Sequence, residues 1–243
     1  MPIREPDNST KPTKAPFSNG YGGDPTTLRL QLLRNGYGPV PVVGPGVKSE
    51  AAGKGVFLPR WQIVCAAPGE KEVSRWIRDY RTSTNTGIHS GRTPGADIDV
   101  RVAELVRQLV GVARTRLGDT PLERVGMAPK TLLAYRADVT FKKISTVEFA
   151  LPGDDWTSPG YKWHKVEILA EGQQFVAYGI HPDTLEPYQW IHGGPDTIPW
   201  ADLPVITEAQ ARAFVDEAEA ILRAAGGIPK AEIEGKAEKK AAF

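Results

Sequence analysis

The sequence contains a single cysteine, Cys65, among its 243 residues. One cysteine excludes an intrachain disulfide framework and a zinc site built on paired cysteines, and it fits a reducing cytoplasm. The four histidines lie far apart along the chain without the spacing of metal ligands, which argues against zinc. No apolar run is long enough to span a bilayer, and the N-terminus lacks the basic-then-apolar pattern of a signal sequence. We therefore expect a soluble cytoplasmic protein that is not inserted in a membrane.

The chain also lacks an excess of charge of either sign. Its 30 lysines and arginines nearly balance its 29 aspartates and glutamates, for a net charge of +1. Any nucleic-acid surface must therefore come from local clustering of cations. The length is sufficient for one domain with a real core, which we place at residues 25–226. Residues 1–24, rich in Pro, Gly and Ser, are expected to form a flexible leader, and residues 227–243 a polar tail or linker.

The stretch from Asn85 to Val100 contains the most informative pattern in the sequence, two predicted strands and a pair of aspartates. Its apolar residues alternate on either side of a segment rich in glycine and proline, which predicts two short strands joined by a tight turn as a hairpin. Side chains repeat every second residue along a strand, so Asp97 and Asp99 leave one face while Ile98 points into the core. Two neighbouring carboxylates are hard ligands that suit Mg²⁺ or Mn²⁺, although Asp-x-Asp alone is also typical of two solvated aspartates.

Cations cluster on the segment that follows the next predicted helix. A loop with glycine and proline holds Arg124 and Lys130 at the entrance of a strand. Because side chains alternate along a strand, Arg136 is expected on the same face as Lys130. Three cations on a short segment are also typical of a solvated face. Farther along, Glu167 is a charge among apolar residues on a predicted central strand, which is costly unless the carboxylate is paired or binds a metal. Glu167 is therefore the natural third metal ligand.

The strand with Glu167 is followed by a Glu-Gly turn and a partner strand at residues 173–179, which predicts a second hairpin. His181 directly follows this predicted hairpin, and the sequence leaves open whether His181 is a structural turn histidine or a site residue. Lys54 lies in a loop rich in glycine and lysine, where exposure to solvent is slightly favoured over contact with phosphate. Apolar periodicity with capping and stop residues predicts helices at residues 25–34, 70–80, 101–117 and 207–225.

The order of these motifs is more specific than any one of them. An Asn-x-Gly strand, Asp-x-Asp, a basic Arg-x-Gly-x-x-Pro-Lys segment, a strand carboxylate and a Gly-x-His-Pro segment follow one another. This order resembles the archaeo-eukaryotic primase superfamily, and within it the bifunctional primase/polymerase (Prim-Pol) domains of phages and plasmids, over roughly residues 28–200. The resemblance implies an α+β fold. In it, an RRM-like antiparallel or mixed sheet carries helices on one face and is joined to an N-terminal α/β unit.

The resemblance also implies roles for individual residues. Asp97, Asp99 and Glu167 would be the catalytic acids and the ligands of two Mg²⁺ or Mn²⁺ ions. Many members have Ser-x-His in the middle motif, where this chain has Ala-Pro-Lys, so Lys130 would replace histidine as the phosphate contact. A lysine is adequate there as a point charge. The nucleotide-binding residues implied in this way are Asn85, Arg124, Lys130, Arg136 and His181.

These features predict a template-directed nucleotidyltransferase, a DNA primase and polymerase that replicates a phage, plasmid or other mobile element. Its partners would be a single-stranded DNA template, a primer 3′ end, nucleoside triphosphates and a helicase domain or protein. Two alternatives stay open. A two-metal nuclease uses paired aspartates and a distant glutamate equally well, and a replication-initiator module would bind DNA without chemistry.

Overall fold

The structure, a computed structural model, describes residues 24–241, with side chains as far as residue 235. The predicted flexible leader, residues 1–24, lies outside the described residues apart from Asp24. The helices are α1 (Pro25–Arg34), α2 (Trp61–Val64), α3 (Glu70–Asp79), α4 (Ala103–Leu117), α5 (Glu208–Ala224) and α6 (Lys230–Ala241). The strands are β1 (Pro39–Val42), β2 (Asn85–His89), β3 (Gly95–Asp99), β4 (Glu123–Val125), β5 (Thr131–Ala134), β6 (Ile144–Ser145), β7 (Phe149–Ala150), β8 (Lys165–Leu169), β9 (Gln174–Tyr178), β10 (Gln189–Trp190) and β11 (Ile228–Pro229). Within residues 24–241 no helix is both long and apolar enough to cross a membrane.

The long helices begin and end where their capping residues predict. Asp24 accepts a hydrogen bond from the backbone N–H of Thr27 (3.0 Å), at the start of α1. Thr207 and Gln210 form a capping box at the start of α5. Gly118, with φ +103°, ends α4 in a conformation that other residues rarely adopt. The four helices predicted from periodicity are therefore confirmed, within about two residues at each end.

The strands form two sheets and one additional pair, and the pairs between these strands are antiparallel. The larger sheet has six strands in the order β10-β4-β5-β3-β8-β6, and the smaller has three in the order β1-β2-β9. β3, which carries the two aspartates, lies in the interior of the larger sheet between β5 and β8. The predicted α+β class is confirmed.

The two predicted hairpins are wrong. β2 lies in the smaller sheet and β3 in the larger, and β8 and β9 are divided between the sheets in the same way. Instead, β2 pairs with β9 and β3 pairs with β8. The N–H of Ser90 donates to the carbonyl of Gln173 (2.9 Å) where these paired segments pass between the sheets. Glycine and proline mark a change in backbone direction, but they do not determine which strand becomes the hydrogen-bonding partner.

Helices α4 and α5 cover one face of the larger sheet. Their buried residues pack with Ile98 of β3 and Ile168 of β8 in one apolar core. Because side chains alternate along a strand, Asp97 and Asp99 project from the opposite face. Apolar residues of β5 and β9 pack together on this opposite face. The acidic pair therefore lies between the two sheets.

The predicted boundary after residue 226 falls within the structured part of the chain. β11 pairs with β7, and the N–H of Lys230 donates to the carbonyl of Glu148 (2.8 Å). The side chains of the same two residues form an ion pair of 3.0 Å. Gly226, with φ +82°, lets the chain turn back against the domain before α6. Polar composition indicated a tail from residue 227, but backbone pairing holds its first residues to the fold.

Candidate active site

A cleft opens between the two sheets, on the face of β3 that carries the aspartates. It encloses about 260 Å³ and is open to solvent on one side. Ligand pockets typically measure about 300–1,000 Å³, so the enclosed part is slightly smaller than that range. The predicted site residues that line the cleft are Asp97, Asp99, Arg124, Lys130 and His181. Residues far apart in the sequence are thus brought together.

Asp97 and Asp99 leave β3 on the same face, as strand alternation predicts, and both line the cleft. Among residues 24–235 the Asp97 carboxylate has no hydrogen-bond or ion-pair partner. Burial raises the pKa of Asp97 to about 6; Arg124 opposes this shift, whereas Asp99 and Glu167 add to it. An unpaired carboxylate beside a second acid is available to bind a cation.

Lys130 contacts the second of these aspartates. Its Nζ lies 2.6 Å from Oδ1 of Asp99, and the two side chains are 16% and 29% exposed. The lysine directly precedes β5, which neighbours β3, and this adjacency brings the ammonium group to the acid. The residue predicted to bind phosphate is therefore ion-paired with a residue predicted to bind metal.

Glu167 lies directly opposite Asp97 in the pairing of β3 with β8, so both side chains leave the same face. Its carboxylate is 7% exposed and is ion-paired with Nζ of Lys143 (2.7 Å) and of Lys165 (3.1 Å). Two lysines therefore supply the balancing charge that the sequence analysis assigned to a metal. Within the part of the chain that the structure describes, no group of three or more His, Cys, Asp or Glu side chains is arranged to hold a metal ion.

Arg124 is a buried cation that connects the two sheets. Its Nη1 donates to the carbonyl of Val176 in β9, and its guanidinium lies 4.8 Å from the ring centroid of Tyr188. Burial lowers the pKa of Arg124, whereas Tyr188 and Asp97 raise it. Arg124 therefore holds β4 against β9 and places a positive charge near the acidic pair.

His181 lies both in a turn and on the wall of the cleft. Its Nδ1 accepts hydrogen bonds from the N–H groups of Asp183 (3.2 Å) and Thr184 (3.4 Å), which leaves the proton of the neutral ring on Nε2. The ring centroid is 5.3 Å from that of Tyr188. Burial and nearby cations, of which Lys54 has the largest effect, lower the pKa of His181 to about 4. The ring is therefore neutral near pH 7, with Nε2–H available as a donor.

Arg136, predicted to bind nucleotide, does not line the cleft that holds the two aspartates. Its Nη1 donates to the carbonyl of Ala201 (2.9 Å), and its Nε pairs with Asp138 (3.0 Å). Side-chain alternation continues past the end of β5, because Tyr135 and Ala137 pack in the core under the helices while Arg136 lies on the opposite face, with its guanidinium 4.9 Å from the ring centroid of Trp200.

Asn85, grouped with the nucleotide-binding residues as one that orients the site, is fully buried and does not line the cleft. Its Nδ2 donates to the carbonyls of Gly53 (3.2 Å) and Ile180 (2.9 Å), and its Oδ1 accepts from the N–H of Ile180 (3.0 Å). These bonds join the loop that holds Lys54 to the segment that holds His181. Asn85 is a positioning residue for two sides of the cleft.

Replacing Asn85 with alanine is expected to lower the free energy of unfolding by about 1–3 kcal/mol, because the Gly53 and Ile180 backbone groups would remain buried without partners. Urea denaturation followed by tryptophan fluorescence measures this change. Unchanged stability together with a raised KM for nucleotide would instead indicate that Asn85 contacts the nucleotide directly.

The cleft also contains residues that the sequence analysis set aside or missed. Lys54, for which exposure to solvent was favoured, lines the cleft together with Lys162 and Tyr188. Lys162 is ion-paired with Asp183 at 2.7 Å. A Cβ at Gly126 would lie 2.4 Å from the Tyr188 ring, so only glycine allows this close approach. The position of Lys54 in a loop rich in glycine and lysine indicates a possible phosphate contact, whereas no local sequence pattern identifies Tyr188 as a residue of the cleft.

No protein-family model and no curated protein matches the chain. The cleft combines an acidic pair, several cations and a neutral histidine.

Proposed function

We propose that the protein is a template-directed nucleotidyltransferase, a DNA primase and polymerase of the archaeo-eukaryotic primase type. The observation that carries this proposal is that Asp97 and Asp99 share one cleft with Arg124 and Lys130. Phosphoryl transfer needs acids that hold divalent cations beside cations that bind the transferred phosphate. The cleft offers both kinds of group within one small volume.

The order of elements supports this type of enzyme. β3, with the two aspartates, is followed by α4, and α5 follows β8 later in the chain. Both helices cover the face of the larger sheet that is opposite the acids. This arrangement favours an RRM-like catalytic core. α1, α3 and the smaller sheet would then correspond to the N-terminal α/β unit.

The acidic pair fits Mg²⁺ or Mn²⁺. Asp97 has no protein partner among the described residues, and Asp99 is held by Lys130, a cation whose place a metal ion can take. When bound, two such ions would lower the pKa of the attacking 3′-hydroxyl and neutralise charge on the triphosphate. Glu167 would join these ligands only by giving up its lysine partners.

Cations other than Lys130 extend the phosphate-binding side of the cleft. Lys54 and Lys162 line it together with Arg124. Once Lys130 leaves Asp99, its ammonium group is free to contact a phosphate oxygen. The Nε2–H of His181 supplies a neutral donor on the same wall. The chain thus offers charged and neutral donors to a bound triphosphate.

In the proposed reaction the 3′-oxygen of the primer attacks the α-phosphorus of the incoming nucleotide. A new P–O bond forms and pyrophosphate leaves. The residues of this chain contribute positioning and charge stabilisation: Arg124 and Lys130 hold the phosphates, and Asp97 and Asp99 hold the divalent cations.

The test is a reaction on single-stranded DNA with Mg²⁺ or Mn²⁺, with and without a labelled primer, and with deoxynucleotides and ribonucleotides in separate reactions. We expect a lengthened primer or a newly made product. Shortened DNA in the absence of nucleotides would instead identify a two-metal nuclease. Metal-independent, sequence-selective binding without either product would identify a replication-initiator module.

A further inference from the structure

The connection between β7 and β8 carries three large aromatic side chains outside the hydrophobic cores. Trp156 is 39% exposed, and Tyr161 and Trp163 are half-buried. None of the three belongs to the clusters of buried apolar residues. We call residues 156–163 the aromatic loop. Three rings outside the core in so short a segment indicate a surface that contacts another molecule.

The aromatic loop is continuous with the cleft. Lys162, which lies between two of the aromatic residues in the sequence, lines the cleft and pairs with Asp183 on its wall. The Nη1 of Arg101 donates to the carbonyl of Lys162. Arg101 follows Asp99 by two residues, so the end of the loop near Lys162 lies where the strand with the acidic pair ends. The loop therefore adjoins the cleft at that end of β3.

The loop is held in place by hydrogen bonds to the two acids that directly precede it, Asp154 and Asp155. Asp154 accepts from the hydroxyl of Tyr161 (2.6 Å) and the N–H of Leu151 (2.7 Å), and also contacts Nε2 of the buried His164 (3.0 Å). Asp155 accepts from the hydroxyls of Thr157 and Ser158, both at 2.6 Å. The acids are thus engaged within the protein, and the ordered loop would lose little conformational entropy on binding.

We propose that the aromatic loop binds single-stranded DNA as it enters the cleft, stacking bases on its rings and contacting phosphate through Lys162, while Arg101, which pairs with Asp154 (3.6 Å), holds the loop in place. This inference rests on the proposed function, which requires a DNA template beside Asp97 and Asp99. Aromatic rings interleaved with cations are the means by which proteins bind single strands without reading their sequence.

The contacts of the loop match this chemistry. The Arg101 guanidinium lies 5.0 Å from the ring centroid of Tyr161, and the rings of Tyr161 and Trp163 meet edge to face at 5.1 Å. The ring of Trp156 takes part in no such aromatic or cation–π contact among the described residues. Trp156 is therefore the residue best placed to stack on a base.

Binding of the full chain to a labelled oligonucleotide of about 20 thymidines, measured by fluorescence anisotropy without metal or nucleotide, tests this surface. Trp156→Leu is expected to weaken binding about tenfold, because an aliphatic side chain cannot stack. Trp156→Phe keeps a ring and should stay within about threefold of the wild type. Trp156 is exposed, so neither change should prevent folding.

The salt dependence of binding provides a second measurement. Lys162→Ala should reduce the slope of log affinity against log salt by about 0.7, the value for one phosphate of a single strand. The matched control is Lys142→Ala, since Lys142 is 81% exposed and does not line the cleft. This control should leave the slope unchanged.

Equal DNA affinity of the wild type and the Trp156→Leu variant would overturn the inference, and so would tighter binding to uridine RNA of the same length. Primer extension by the same proteins separates this outcome from failure of the proposed function. DNA binding that depends on Trp156, without nucleotide incorporation, would support the DNA-binding role of the aromatic loop and contradict the proposed polymerase activity. Nucleotide incorporation, together with unchanged DNA binding by the Trp156→Leu variant, would contradict only the DNA-binding role of the aromatic loop.

Discussion

Replacing Asp97 with asparagine is expected to abolish nucleotide incorporation and, at the same time, to raise the unfolding temperature of the metal-free protein. The loss of activity should be at least about a thousandfold, because a neutral amide holds a divalent cation far more weakly than a carboxylate and several kcal/mol of charge stabilisation disappear. Primer extension at saturating Mg²⁺ or Mn²⁺ measures this loss. Asp99→Ala should also remove incorporation.

The gain in stability follows from the direction of the pKa shift. Burial raises the pKa of Asp97 from 3.8 to about 6, so the folded state binds a proton more readily than the unfolded state. Above pH 6 the ionised carboxylate therefore costs the fold up to about 3 kcal/mol. This cost falls as the pH is lowered through 6 and disappears below about pH 4, where both states are protonated. Asparagine avoids the cost at every pH.

Thermal unfolding in chelator at several pH values measures the effect. At pH 7.5 the Asp97→Asn variant should unfold several degrees above the wild type, since 1 kcal/mol corresponds to about 2–4 °C for a chain of this size. Near pH 4 the two proteins should unfold together. Asp138→Asn is a suitable control, because Asp138 is exposed and pairs with Arg136 outside the cleft. Normal incorporation by Asp97→Asn, or a lower unfolding temperature at pH 7.5, would contradict this account.

The placement of Asp97 and Asp99 on one face could be predicted because alternation along a strand is a local property. The strand partners could not be predicted in the same way. The turn residues after β2 and β8 suggested two hairpins, whereas hydrogen bonds between distant segments determine the pairs β2–β9 and β3–β8. Local sequence thus identified the strands and the orientation of their side chains, but not their neighbours.

The same limit applies to the charges of the candidate site. Glu167 was recognised as a buried charge that needs a partner, but its partners come from β8 itself and from the segment before β6. Lys143 is brought close only by the pairing of β6 with β8, which no local pattern specifies. Arg136 keeps the face that alternation predicts, but it lies two residues beyond β5, beside Trp200 and outside the lining of the cleft. The face of a side chain on one strand could therefore be predicted, whereas strand partners and distance from the cleft could not.

We expect Lys130 to bind the triphosphate and also to compete with a metal ion for Asp99. A single substitution distinguishes these two roles. Lys130→Ala should raise the KM for nucleotide about tenfold or more, because the triphosphate loses a charged hydrogen-bond donor. The same substitution removes the cation that lies 2.6 Å from Asp99. Metal-free protein with alanine at this position should therefore bind Mn²⁺ more tightly than the wild type in the absence of nucleotide, as measured by calorimetry.

These opposite changes distinguish a specific role from general damage to the cleft. A variant that is merely misfolded would bind both nucleotide and Mn²⁺ less well, whereas loss of one ammonium group weakens the first and strengthens the second. Lys142→Ala provides the matched control, because Lys142 pairs with Glu171 on the surface and should change neither value. An unchanged KM for Lys130→Ala would mean that the basic segment before β5 does not bind the triphosphate. An unchanged affinity for Mn²⁺ would mean that Lys130 does not compete with the metal for Asp99.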